Sequence, residues 1–139
     1  SVNAIDMAAA NASSLGLDDR AHFYQHSFFD DLSNFGTFDI VLSNPPYIPT
    51  ADIAGLAIDV RGFDPLLALD GGIDGMACWQ GLLPRLREPL RDRGAAFVEI
   101  GMGQEAAIVQ LAANAKLEFV GRHRDLSDVV RCLQFRIKM

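Results

Sequence analysis

The spacing of apolar residues changes period several times along this chain. From Val2 to Leu15, residues Ile5, Ala8, Ala9, Ala12 and Leu15 recur at helical spacing with alanine filling the gaps, which predicts a helix closed by Gly16. A short strand is predicted around His22–Gln25. Phe38–Leu42 is a second, more apolar strand that runs directly into Ser43-Asn44-Pro45-Pro46-Tyr47. Residues 48–75 hold the longest irregular stretch, with Pro49, Gly55, Gly62, Pro65 and the run Asp70-Gly71-Gly72-Ile73-Asp74-Gly75; a connection this long is functional or partly helical. From Asp74 the pattern turns helical, with Trp79, Leu82, Leu83, Leu86 and Leu90 on one face and with Pro84 and Pro89 expected to kink or segment it. A strand over Ala95–Ile100 and a helix over Ala106–Ala115 follow. Phe119–Arg122 and Val129–Ile137 read as the last two strands, and the final one alternates apolar with polar positions.

This order predicts an α/β fold with a mostly parallel sheet, to which the polar-alternating last strand adds antiparallel at the far end. No repeat, linker or domain boundary interrupts it. Composition agrees: 139 residues, half of them apolar and 22% charged, suit one packed domain, residues 1–139. The formal net charge of −6 argues against a protein that grips nucleic acid by its phosphates. No apolar run approaches the roughly 20 residues that span a bilayer. Cys78 and Cys132 form no CxxC pair and are expected to be reduced and structural, as in a cytosolic protein.

The chemistry concentrates at the end of the second strand, where open α/β sheets bind ligands. Asn-Pro-Pro-Tyr arises by chance about once in a couple of thousand chains of this length, so its presence here calls for a reason. Pro45 has no N–H, and Pro46 restricts Pro45 to extended backbone, so the turn is stiff. It presents the Asn44 side-chain oxygen and backbone carbonyls as acceptors beside the ring of Tyr47. That arrangement suits a planar group bearing an NH2. Two acceptors fix its two hydrogens and leave the nitrogen lone pair aimed at an electrophile, a catalysis by orientation that needs no strong base. The plain alternative is a rigid proline turn after a core strand.

The stretch NPPYIPTADIAGLAIDVRGFDPLLALDGGIDG resembles the glutamine N5-methyltransferases that modify peptide chain release factors. EIGMGQ at Glu99–Gln104, RDLSDVVR at Arg124–Arg131 and the Asn11–Leu17 end of the first helix resemble the same family. The resemblance covers essentially the whole chain. It implies a Rossmann-like class I methyltransferase fold, S-adenosylmethionine as cofactor, a release factor as protein partner, and a cytoplasmic monomer with neither membrane nor nucleic acid as partner. Asn44 and Pro45 would then be the catalytic acceptors of the target amide, and Pro46 and Tyr47 would complete its pocket. Ser27, Phe28 and Asn44 would meet the cofactor. Ser27 stands where the family has Asp, which removes a carboxylate acceptor for the adenine amino group. The family's glycine-rich cofactor loop and acidic ribose ligand are not found in these residues. By the resemblance, Ser1 falls just after that acidic position. The chain is therefore expected to be the C-terminal part of the domain, to form an incomplete version of the fold, and to be inactive alone.

Other signals carry less. Gly101-Met102-Gly103 lacks the third glycine of a dinucleotide fingerprint and reads as a strand-to-helix turn. Glu99 faces the active site or forms an ordinary salt bridge. The Asp70–Gly75 run lacks the ligand spacing of a calcium loop and reads as a turn before the next helix, with Asp74 near its start. His22, His26 and His123 are scattered, so no metal site is expected. Arg122, His123, Arg124 and Arg131 read as a solvated basic face. Two other functions compete with the first: a nucleic-acid amino-methyltransferase of the adenine N6 type, because its target is again a planar NH2, and an inactive fragment without the cofactor loop.

Overall fold

The computed structural model describes residues 1–138. The chain divides into two compact units, Ser1–Asp30 and the residues from Asp31 onward.

The first unit is built on helix α1 (Val2–Ser14). The Ser1 hydroxyl accepts the Ala4 N–H at its start, and Gly16, at φ +67°, takes the left-handed conformation that ends it. The strand expected at His22–Gln25 is not formed. A strand exists only as part of a ladder, and this segment is not a member of the four-stranded sheet.

In the second unit a short 3-10 turn (Ser33–Phe35) leads into strand β1 (Phe38–Ser43). The long connection that follows is partly helical, as expected of its length. It holds a 3-10 turn (Thr50–Gly55) and helices α2 (Ile58–Phe63) and α3 (Leu66–Leu69). Helix α4 (Ala77–Arg85), strand β2 (Leu90–Glu99), helix α5 (Glu105–Asn114) and strands β3 (Leu117–Arg124) and β4 (Val130–Ile137) complete it. Helix α4 stops short of Leu90, because Pro89 cannot donate to a helical bond; Leu90 instead opens β2.

The sheet order is β1-β2-β4-β3. Only β1–β2 is parallel, and β2–β4 and β3–β4 are antiparallel. Within the described residues the sheet is thus mixed rather than mostly parallel, and β4 lies between β2 and β3 instead of at the far end. The short turn after Arg124 returns the chain as a hairpin beside β3, and Leu133 and Phe135 of β4 are fully buried there. The Asp125 carboxylate ties that turn by accepting the Ser127 and Val129 N–H groups.

Register gives the two faces different roles. Val41, Ala96, Val98, Leu133 and Phe135 share one face. With Trp79, Leu82, Leu83 and Leu86 of α4 and Ile108 and Ala112 of α5 they form the core. Ile40, Leu42, Phe97, Glu99 and Cys132 share the other face, where Ile40 is 60% and Leu42 74% exposed. No helix among the described residues is long and apolar enough to cross a membrane.

Candidate functional site

The carboxyl ends of the parallel pair β1–β2 carry the site. Asn44 follows β1 and is exposed, whereas Pro45 beside it is fully buried. The turn is therefore anchored by one proline and presents its amide outward. Tyr47 is half-buried and folds back toward the end of β2, where its hydroxyl donates to Glu99 Oε1 at 3.2 Å. Glu99 thus bonds to Tyr47 at this end of the sheet. Burial, then the charge and hydrogen bond of Glu99, push the Tyr47 phenol above its ordinary value.

A cavity of about 360 Å³ opens beside Asn44, lined by Leu42, Phe97, Glu99, Arg131 and Cys132. Its lining is mainly apolar with a few polar groups, the usual make-up of a ligand pocket. Ser43 adds a buried hydroxyl with no partner in the structure.

Below the turn, the loop from Ile48 to Gly72 is closed at its neck. Ile48 N–H donates to the Leu69 carbonyl at 3.1 Å, and Gly71 N–H donates to the Ile48 carbonyl at 2.8 Å. The Asp70 carboxylate accepts the Thr50 hydroxyl at 2.7 Å and the Gly72 N–H at 2.9 Å, which holds its pKa below the ordinary carboxylate value. Asp74 accepts the Met76 N–H at 3.0 Å just ahead of α4, as a turn before that helix should.

Gln104 is the residue that sequence reasoning missed. It is the residue preceding α5, at the end of the EIGMGQ stretch. Its side-chain nitrogen donates to the carbonyls of Tyr47 and Gly75, both at 3.1 Å, and its oxygen accepts the Gly101 N–H at 3.0 Å. The Gly101–Gly103 segment is the strand-to-helix turn expected, with Gly103 at φ +83°. A Gln immediately after that turn was the available signal.

The sequence-predicted residues fall in two groups. Asn44, Pro45, Pro46 and Tyr47 come together at the end of β1. Ser27 and Phe28 lie in the first unit, both half-buried, with the Ser27 hydroxyl accepting the Phe29 N–H at 3.2 Å. Of the basic residues near the C-terminus, Arg122 pairs with Glu105, Arg124 with Asp128 and Arg131 with Asp125.

The four-stranded β1-β2-β4-β3 sheet, with a turn at the end of its first strand, matches part of a Rossmann-like methyltransferase fold. The chain superposes over its whole length on 55% of a ribosomal protein L11 methylase from Lactobacillus delbrueckii subsp. bulgaricus, with a TM-score of 0.66 at 19% identity. It also matches a TehB-like SAM-dependent methyltransferase from Corynebacterium glutamicum, over 96% of this chain and 62% of that one, with a TM-score of 0.59 at 16% identity. In sequence, the chain is a homologue of the release factor glutamine methyltransferases. It is 46% identical over 117 residues to the one from Bradyrhizobium diazoefficiens, covering 84% of this chain and 39% of the relative. The one from Agrobacterium fabrum is 37% identical over 136 residues, which cover 98% of this chain and 46% of the relative. The chain thus spans less than half the length of these curated relatives. No protein-family model matches it.

Proposed function

We propose that the protein carrying this chain transfers a methyl group from S-adenosylmethionine to the side-chain amide nitrogen of a glutamine in a peptide chain release factor, with residues 1–139 forming part of its methyltransferase domain. The observation that carries this reading is Asn44, exposed on a proline-stiffened turn whose Pro45 is buried, at the carboxyl end of a parallel strand. The relatives' names supply the substrate class.

The cofactor brings one thing when bound, a methyl group made electrophilic by its sulfonium. Within the second unit the residues that would border it are Asn44, Leu42 and Phe97, which line one cavity.

The remaining work belongs to the turn. The Asn44 side-chain oxygen and a backbone carbonyl of the turn accept the two hydrogens of the target amide, while the buried Pro45 holds the turn in place. The nitrogen lone pair, otherwise delocalised into the amide, is held toward the incoming methyl. The N–C bond would form as the methyl's S–C bond breaks to leave a neutral thioether; the positive charge then passes to the nitrogen, where the two acceptors stabilise it until one proton leaves to water. The stiff turn does not rearrange during the step, which is the source of its advantage over water. Pro46 and Tyr47 close the pocket around the amide.

Ion pairing of Arg122, Arg124 and Arg131 leaves little open cationic surface there for phosphates, which favours a protein substrate over a nucleic acid. The test is incubation of the complete protein with methyl-labelled cofactor and a release factor, followed by mass mapping. Label on a glutamine side chain is the expected result. Label on DNA or RNA and none on the factor would overturn it.

A further inference from the structure

The Gln104 carboxamide has one acceptor and two N–H donors, and its surroundings use all three. Two carbonyls, of Tyr47 and Gly75, require donors; one N–H, of Gly101, requires an acceptor. The orientation of the amide follows from those partners. The three segments it joins are distant in the chain: Tyr47 is 57 positions and Gly75 29 positions from Gln104.

Glycine makes this convergence possible. A Cβ on Gly71 would lie 2.8 Å from the Tyr47 Cα, and one on Gly101 would lie 2.9 Å from the Gln104 oxygen and 3.0 Å from Tyr47 Cδ2. A Cβ on Gly75 would collide with the Tyr47 carbonyl and come within 2.8 Å of the Gln104 nitrogen. Gly75 also sits at φ +72°, where a side chain is strained in any case. The backbones of Gly75 and Gly101 thus close on the carboxamide, and Gly71, Gly75 and Gly101 all pack against Tyr47, which ends the Asn-Pro-Pro-Tyr turn.

We propose that Gln104 is a positioning residue for this turn, its carboxamide fixing the Tyr47 carbonyl and thereby the direction in which the turn presents Asn44. This rests on the function proposed above. The two prolines between Asn44 and Tyr47 transmit a displacement instead of absorbing it, so a shift at the Tyr47 carbonyl reaches Asn44. Gln104 acts only through the turn and has no contact with the reacting atoms to make.

Glutamate is the discriminating replacement. Gln104→Glu keeps the length and the acceptor for Gly101 but turns a charged oxygen toward two carbonyls. Gln104→Ala removes the contact altogether. In the complete protein, both variants are expected to lower kcat for a glutamine-containing release factor by about 10- to 100-fold, with cofactor affinity unchanged within about twofold. Amide hydrogen exchange is expected to rise in residues 44–48 and 71–77 while 105–114 stay protected. A residue that only filled space would tolerate the near-isosteric Glu. A Gln104→Glu protein with wild-type kcat, or with unchanged exchange in both segments, overturns the proposal. If the wild-type protein methylates no glutamine, the proposed function fails, and the exchange result alone decides whether Gln104 holds the turn.

Discussion

At the site, adjacent residues take opposite positions: Asn44 is exposed and Pro45 buried. Replacing Asn44 should therefore separate activity from stability. Asn44→Ala is expected to change folding stability by no more than about 0.5 kcal/mol, as an exposed substitution does. Loss of one preorganised acceptor should cut methyl transfer by about 100- to 1000-fold. Paired denaturation and turnover measurements on the complete protein check both. Tyr47 behaves differently, because its hydroxyl is engaged with Glu99. Tyr47→Phe should cost about 0.5–1.5 kcal/mol. Its pH dependence has a definite sign. The folded state raises the phenol above the free value of about 10, so it keeps its proton where the unfolded chain releases it. Stability is intact below that free value and falls as pH rises through the folded one. Tyr47→Phe should remove that alkaline limb, which urea unfolding between neutral and alkaline pH would show.

At the scale of elements, the loop between β1 and α4 is a closed unit rather than a loose connection. Its neck depends on Asp70, whose carboxylate is held below its ordinary value by the Thr50 hydroxyl and then by the Gly72 N–H. A depressed carboxylate stabilises above its unfolded pKa and loses that contribution as pH falls through the folded value. Acid should open the neck first, and Asp70→Asn should weaken it at neutral pH while removing this acid limb. Hydrogen exchange of residues 48–51 and 70–72 as a function of pH reads both. The same scale shows why some elements were legible and others were not. Helices α1 and α5 announce themselves through a local period of apolar residues, and each forms within a residue of its expected bounds. Leu90 continues the apolar spacing of α4 yet begins a strand, because Pro89 ends what periodicity alone would extend. His22–Gln25 has strand-like composition and lies outside the sheet, and composition cannot supply a ladder.

At the scale of the molecule, one sheet face is packed by α4 and α5, and the other leaves Ile40 and Leu42 largely open to water. Apolar surface of this kind binds amphiphilic dyes and promotes association. The 139-residue chain is therefore expected to bind an anilinonaphthalene dye, and the double substitution Ile40→Thr, Leu42→Thr to weaken that binding, as a fluorescence titration would register. Unchanged fluorescence would place the dye elsewhere.

The sequence by itself determined the helical and extended stretches whose signals are local, the stiffness of Asn44–Tyr47, and the kind of group such a turn can hold. Proline's missing N–H and locked ring are covalent facts, and apolar periodicity needs no knowledge of neighbours. Only the tertiary structure decided that β4 lies between β2 and β3, that Glu99 meets Tyr47, and that Gln104 joins three segments far apart in the chain. Each of these depends on which buried surfaces and unpaired backbone groups find one another. Those pairings are settled by the packing of the whole sheet, and no local pattern encodes them.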